Sequence, residues 1–359
     1  MNIDLHANRS QREAIGKLPT LDRYLPLWIT IAMALGLILG RAISGLQNAL
    51  DSVKIDGTRL LIAIGLLSMM YPGLAKVKYE EMGHLTGDRK MLWLSLVLNS
   101  VVGTLFMFAL EWIFLADQPA FRTGLIVIGL AMCIAMVLMW NDLACGGREA
   151  GALLVSINSI FQILADALRG TFSLAILPGW LGLNTQDITF STWEITKAVL
   201  IFLGIPLALG FFTRQVGVAR KGCDWYDNNF APRIALIALW GLLFTIMVLF
   251  ALQGDAITSD PLSVVIIAIP LIIYFAIMWF TAMGAARVIG LPHARSANVA
   301  LTSAGNNFEL ALAVSIGVWG VTSRQALTGV IGPLIEVTAL VELVYVSLWL
   351  RNKWTWSNR

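Results

Sequence analysis

The chain has 359 residues, of which 58% are apolar and 13% charged, with a formal net charge of +3. A soluble domain carries about 25% charged residues, so this composition excludes an ordinary soluble protein and implies a polytopic membrane protein. The basic residues are spread over several segments, which argues against a nucleic-acid partner, and three cysteines without a pairing pattern argue against a disulfide framework.

Residues 1–24 are polar and mixed in charge, with Arg9, Arg12, Glu13, Lys17 and Arg23, and read as a tail outside the bilayer. No short apolar core with a small-residue cleavage site follows this start, so no cleavable signal peptide is expected. Apolar segments then lie at about 25–43, 58–75, 91–115, 121–140, 151–177, 194–213, 232–252, 262–283, 297–319 and 326–350. Each approaches the roughly 20 residues that a spanning helix needs. Ten spans put both termini on one side. Segments on that side hold 18 Lys and Arg, the opposite segments hold 6, and Arg169 lies inside a span. By the positive-inside rule both termini are expected in the cytoplasm of a multi-pass plasma-membrane (cell inner membrane) protein. The expected organisation is a tail at 1–24, five-helix halves at 25–185 and 186–350, and a tail at 351–359. The longest cytoplasmic loop falls at about 214–231.

The fourth span carries Cys133 near mid-membrane, preceded by Met132, and ends at Asn141 and Asp142. A lone buried cysteine is most often a small hydrophobe. A thiol is also the softest ligand here, suited to thiophilic metals and metalloids. Asp142 reads either as a pathway group or as a solvated loop charge. The fifth span carries Asn158, Gln162, Asp166 and Arg169 at spacings of 4, 4 and 3, which gathers them on one helical face. That face is expected to meet protein or water, with Asp166 and Arg169 placed to pair. Pinning helices together and lining a pathway are equally good readings of that pair.

The ninth span contains Gly305-Asn306-Asn307-Phe308-Glu309, with Glu309 near its middle. A carboxyl at that depth costs about 2.5–3.5 kcal/mol on insertion scales, so it is expected to face a cavity or a partner. The glycine and two asparagines weaken the helix and supply amide groups. Irregular polar backbone survives at membrane depth only where it lines a cavity. The tenth span opens Gly332-Pro333 and places Glu336 near mid-span, so two carboxyls are available for proton exchange. Spans four and nine hold the same position in two halves of opposite orientation. Such an inverted repeat predicts a solute site near the midplane, where discontinuous helices cross.

His6, His84 and His293 fall in the tail or in cytoplasmic loops, and no phosphate loop, His-Glu-x-x-His signature or nucleophile elbow is present. A secondary transporter is therefore expected rather than an enzyme, with no cofactor.

The run Gly129–Ala144, with Cys-Ile-Ala-Met at 133–136 and Trp-Asn-Asp-Leu-Ala at 140–144, resembles the arsenite efflux permeases of the ACR3 type. So do Met70-Tyr71-Pro72 with Lys76-Val77-Lys78-Tyr79-Glu80-Glu81, Ser159–Gln162, Gly305–Leu310 and Gly332–Val337, in order along nearly the whole chain. The resemblance implies an all-α fold of the bile acid/arsenite/riboflavin transporter superfamily, with ten transmembrane helices in panel and core domains and crossed, broken spans four and nine. It implies export of a trivalent metalloid, arsenite or antimonite, from the cytoplasm in exchange for protons, with Cys133 as the As(III) or Sb(III) ligand. Glu309 would then be the main proton carrier and Glu336 the second. Asn141, Asn158, Gln162, Asn306 and Asn307 complete the expected substrate contacts, and Met132, Asp142, Asp166 and Arg169 are candidates for the pathway or for selectivity.

The chain departs from the family pattern at Met132, where Arg is usual, at Gly147, where Asp is common, and at Thr338, where Pro is usual. The Asp166/Arg169 pair is also unlike the pattern. Two other readings are a carrier of an organic anion or other solute, sodium-coupled in one form, and a membrane sensor with a transporter-like fold. Cys133 speaks against the first, since an organic anion needs no thiol. The shortness of the 214–231 loop speaks against the second.

Overall fold

The computed structural model describes residues 25–43, 54–55, 58–77, 89–134, 136–183, 191–259 and 261–356. The tails at 1–24 and 357–359, and residues 184–190 of the external loop expected between the halves, lie outside them. The described chain is helical apart from one two-residue antiparallel pair, in which Lys54 and Ile55 face Arg59 and Thr58. We number the helices α1 (Leu25–Ala42), α2 (Leu60–Ala75), α3 (Arg89–Phe114), α4 (Pro119–Leu130), α5 (Val137–Leu143), α6 (Glu149–Trp180), α7 (Thr192–Lys221), α8 (Cys223–Leu252), α9 (Pro261–Val288), α10 (His293–Ala304), α11 (Phe308–Trp319) and α12 (Arg324–Lys353). Six of them, α3, α6, α7, α8, α9 and α12, are long and apolar enough to cross a membrane, and α1, α2, α4 and α11 are shorter apolar helices.

The α6 helix shows why these residues pack as they do. Asn158, Gln162 and Asp166 are at most 4% exposed, whereas Ile160, Leu164 and Leu168 are 38%, 71% and 70% exposed. The polar face turns inward and the apolar face outward. That inversion is stable where the surrounding solvent is hydrocarbon, because a polar group facing lipid has no partner. Two groups of helices result: α8 lies against α1 and α2, with α7 beside α2, while α12 packs against α4, α9 and α11. The α7 helix reaches both, touching α6 and α11.

The region 214–231 is not a loop. Helix α7 runs to Lys221 and α8 begins at Cys223, so the turn narrows to Gly222, whose φ of 84° suits a residue without a side chain. Arg214 is consequently a buried helical residue. It donates to Asp227 at 2.9 Å and lies over the Tyr226 ring, whose hydroxyl donates to the Ala75 carbonyl at 3.0 Å. This brace ties α7 and α8 to the end of α2.

Close helix contact puts a sharp demand on Gly332. A methyl group there would overlap the ring of Phe308, joining α12 to α11 with no room to spare. Overpacking of this kind costs about 1–3 kcal/mol. We expect Gly332→Ala to lower the unfolding midpoint in detergent, with helix content retained. An unchanged midpoint would show that the two helices separate freely.

His293 also departs from its expected loop setting. It is the first residue of α10, 7% exposed, and its Nε2 lies 3.0 Å from the Ser347 carbonyl and 3.2 Å from its hydroxyl. Trp356 closes edge-on over the imidazole and donates to the Leu350 carbonyl, while Arg287 covers the neighbouring Trp354. The segment after α12 therefore clasps the start of α10. Burial, with a smaller contribution from Arg351, holds the imidazole below its usual 6.5. The folded state thus prefers neutral His293. Its contribution is complete above that value and is lost as pH falls below it. Between about pH 7 and pH 5 the unfolding midpoint should drop more in the parent than in His293→Gln. Equal drops would remove His293 as the cause.

Candidate functional site

Two spans are broken, and the breaks face each other. The first follows Leu130, where Ala131 turns to an extended backbone (φ −82°, ψ 109°), and helix resumes at Val137. The second follows Ala304 and ends at Phe308. Its cause is local, since Gly and Asn are poor helix formers, and Asn307 starts α11 by accepting the Leu310 N–H at 2.9 Å. The breaks pair directly: Met132 and Asn306 form an antiparallel bridge, and the Asn307 N–H donates to the Ala131 carbonyl at 2.8 Å.

Several carbonyls at the end of α4 and in the break find donors on other segments. The Asn306 side-chain amide donates to the Ile128 carbonyl at 3.0 Å, Arg169 to the Leu130 carbonyl at 2.8 Å, and the Gln162 amide to the Met132 carbonyl at 2.8 Å. Arg169 also pairs with Asp166 and reaches the Thr104 hydroxyl at 3.4 Å. Two members of the polar stripe of α6, Gln162 and Arg169, thereby satisfy backbone at the break, and Asp166 balances the charge of Arg169. Asp166 at the same time lines a small, mostly apolar cavity with Leu130, Ile195 and Leu310.

Cys133 sits in the first break, 2% exposed. A Cβ built on Gly305 would lie 3.3 Å from the Cys133 Cβ and 3.2 Å from Oε1 of Glu336. Glycine therefore lets the thiol-bearing strand and a carboxyl meet across the second break. Oε1 of Glu336 accepts the Asn306 N–H at 3.0 Å. Glu336 is thereby the acidic neighbour of Cys133 across Gly305. Glu309 is half-buried and faces a different space, a cavity between α2, α8, α11 and α12 lined also by Met69, Thr245 and Pro333. Neither carboxyl has a cation partner among the described residues. Gln162 Oε1, Asn307 Nδ2 and Asn158 Nδ2 are among the side-chain amide atoms that stay buried without a hydrogen bond.

The crossing thus gathers Met132, Cys133, Gln162, Asn306, Asn307, Glu336 and Arg169. Asn158 is one helical turn along α6 from Gln162. Asn141 and Asp142 stand apart, at the far end of α5, where the Asn141 amide nitrogen packs 2.9 Å from the position of a Cβ on Gly151. That end carries a tie absent from the sequence reading, a bond of 2.7 Å from the Asn298 amide to the Gly147 carbonyl. The available signal was an amide, Asn298, in a helix that also carries Ser296, Thr302 and Ser303. No three His, Cys, Asp or Glu side chains among the described residues converge as a metal cage.

Residues 63–260 match the model of the Sodium Bile acid symporter family. The chain is 54% identical over 337 residues to the arsenical-resistance protein Acr3 of Corynebacterium glutamicum, covering 94% of this chain and 91% of the relative. An uncharacterised transporter of Synechocystis sp. is 31% identical over 361 residues, at 94% and 92% coverage. The Acr3 of Alkaliphilus metalliredigens is 28% identical over 338 residues, at 91% and 92%. With the family model matching over half of the chain and a relative 54% identical across 94% of it, the chain belongs to the Sodium Bile acid symporter family as a multi-pass membrane transporter of the ACR3 type, and not as an enzyme.

Proposed function

We propose that this transporter exports a trivalent metalloid, arsenite or antimonite, from the cytoplasm in exchange for protons. The observation that carries the proposal is the Cys133 thiol in a helix break, against Gly305 and beside Glu336. Trivalent arsenic and antimony are soft centres that favour sulfur. The thiol displaces one hydroxide of the metalloid trihydroxide. A sulfur–metalloid bond forms, a metalloid–oxygen bond breaks, and the thiol proton leaves with the hydroxide as water. Gln162 Oε1 accepts from a remaining hydroxyl, and the amide nitrogens of Asn158 and Asn307 donate to one. With no cage of three acidic, thiol or imidazole groups among the described residues, the cargo rests on one sulfur plus hydroxyl contacts, a weak enough hold for release.

In this reading the helices make ten crossings, with α4–α5 and α10–α11 as discontinuous ones, in inverted halves at 25–185 and 186–350. The α1, α2, α7 and α8 helices form the panel and the others the core. Both termini face the cytoplasm of the cell membrane. Glu309 and Glu336 hold the exchanged protons, Glu309 foremost. Asn141 and Asp142, being remote from the thiol, act at the cytoplasmic mouth. Metalloid uptake into everted vesicles, driven by an imposed proton gradient and compared for arsenite and antimonite, tests this directly. Uptake of neither, or uptake driven by sodium alone, would overturn it.

Met132 adjoins the thiol ligand and supplies a soft thioether where an Arg would bring charge and hydroxyl-directed donors. Antimony is the larger and softer centre. We expect Met132→Arg to shift the transport ratio toward arsenite. An unchanged ratio at equal expression would show that this position does not set selectivity.

A further inference from the structure

We propose that Arg169 is a positioning residue for the Cys133 thiol, acting through the main chain of the break and not through the cargo; its role in transport rests on the reading above. The end of α4 leaves carbonyls without helical partners, and at membrane depth each unsatisfied group costs several kcal/mol. Arg169, Asn307 and Gln162 take the carbonyls of Leu130, Ala131 and Met132, and Asn306 adds a second bond to that of Ile128, which also accepts the Ala131 N–H. Arg169 is the one charged donor in the set. Its cation also meets the negative end of the α4 dipole. Leu130, its acceptor, is three residues from Cys133.

The guanidinium has further neighbours. Asp166 pairs with it from one helical turn earlier, the Thr104 hydroxyl of α3 lies 3.4 Å from Nη1, and the Phe161 ring stands 5.4 Å beneath Cζ. A planar fork with several donors can join these groups to the Leu130 carbonyl at once. A lysine, with one compact ammonium, cannot. Arg169 therefore links α3 and α6 to the strand that bears the thiol, and Asp166 balances its charge. The pair fixes where the sulfur lies.

The test uses the full chain with Cys145→Ser and Cys223→Ser, so that Cys133 alone reports. Removing Arg169 singly would strand Asp166, so the informative variant is Asp166→Asn with Arg169→Gln, neutral and hydrogen-bonding at both places. Arg169→Lys is the conservative comparison, and Gly217→Ala, whose methyl would overlap the Tyr226 ring in the α7–α8 brace, is a control destabilised elsewhere. Alkylation of Cys133 by a membrane-permeant maleimide should quicken about tenfold or more in the double variant, the loss of one charge-assisted bond. Gly217→Ala should keep the parent rate. The metalloid KM should rise about tenfold in the double variant with kcat little changed. A parent alkylation rate in the inserted double variant, or an equal increase in Gly217→Ala, would overturn the proposal. If Cys133→Ser still exports metalloid, the cargo assignment fails, while the alkylation comparison still decides what Arg169 does.

Discussion

Cys133→Ser is expected to abolish metalloid efflux, whereas Cys145→Ser and Cys223→Ser remain active. The three thiols stand in different settings. Cys133 is buried in the break beside Gly305 and Glu336. Cys145 is half-buried in the turn after α5, at a φ of 55°, and Cys223 is exposed at the start of α8. Serine keeps nearly the same volume and can still hydrogen-bond, so the break should close around it. A hydroxyl is a hard ligand and offers little to a centre that favours sulfur. The loss is thus one of ligand chemistry and not of packing. The measurements are resistance of the host to arsenite and antimonite, and uptake into everted vesicles at matched membrane insertion. Normal resistance in an inserted Cys133→Ser protein would sink the assignment of the thiol.

Glu309→Gln should lose accumulation of metalloid against a gradient while still letting it equilibrate. Gln keeps the shape and hydrogen-bonding capacity of the side chain but cannot cycle a proton. Glu309 suits that role better than Glu336 on geometric grounds. Its carboxyl lines a cavity between the two groups of helices, with Thr245 and Met69 on the opposite wall. Glu336 is 2% exposed and already accepts the Asn306 N–H that holds the second break. Glu336→Gln should accordingly disturb the break as well as any proton it carries. Because the trihydroxide is neutral near pH 7, exchange for a proton moves net charge, and the membrane potential adds about 2.3 kcal/mol per charge per 100 mV. Counterflow and gradient-driven uptake, measured side by side in vesicles, separate equilibration from coupling. If Glu309→Gln still drives uphill transport that a protonophore collapses, the proton travels elsewhere.

The two breaks differ in how far they were legible. Gly305-Asn306-Asn307 is poor helix sequence with its own capping residue, so the second break is written locally. The run Ala131–Met136 contains no glycine, proline or asparagine and reads as continuous helix. It opens where donors from elsewhere, namely Asn306, Arg169, Asn307 and Gln162, bond the carbonyls of Ile128, Leu130, Ala131 and Met132. The α6 stripe was visible as a polar face. Whether Arg169 would meet only Asp166 or also reach the backbone depended on a helix 39 residues earlier in the chain. Residues 214–231 misled because charged and polar residues suggested a loop, while Asp227 and Tyr226 pair with buried Arg214 and let the helices continue.

From sequence alone, the composition determined a membrane protein, the apolar runs its helices, and the motif set its kinship. The thiol and carboxyls within the apolar runs were evident there too, since such groups stand out against an apolar background. Only the tertiary structure decided that Cys133 lies in a break and that Glu336 holds the crossing. It alone turned Glu309 toward a separate cavity and set Asn141 apart from the thiol. Those outcomes turn on which donor reaches which carbonyl across helices distant in sequence, and local propensity carries no record of such encounters.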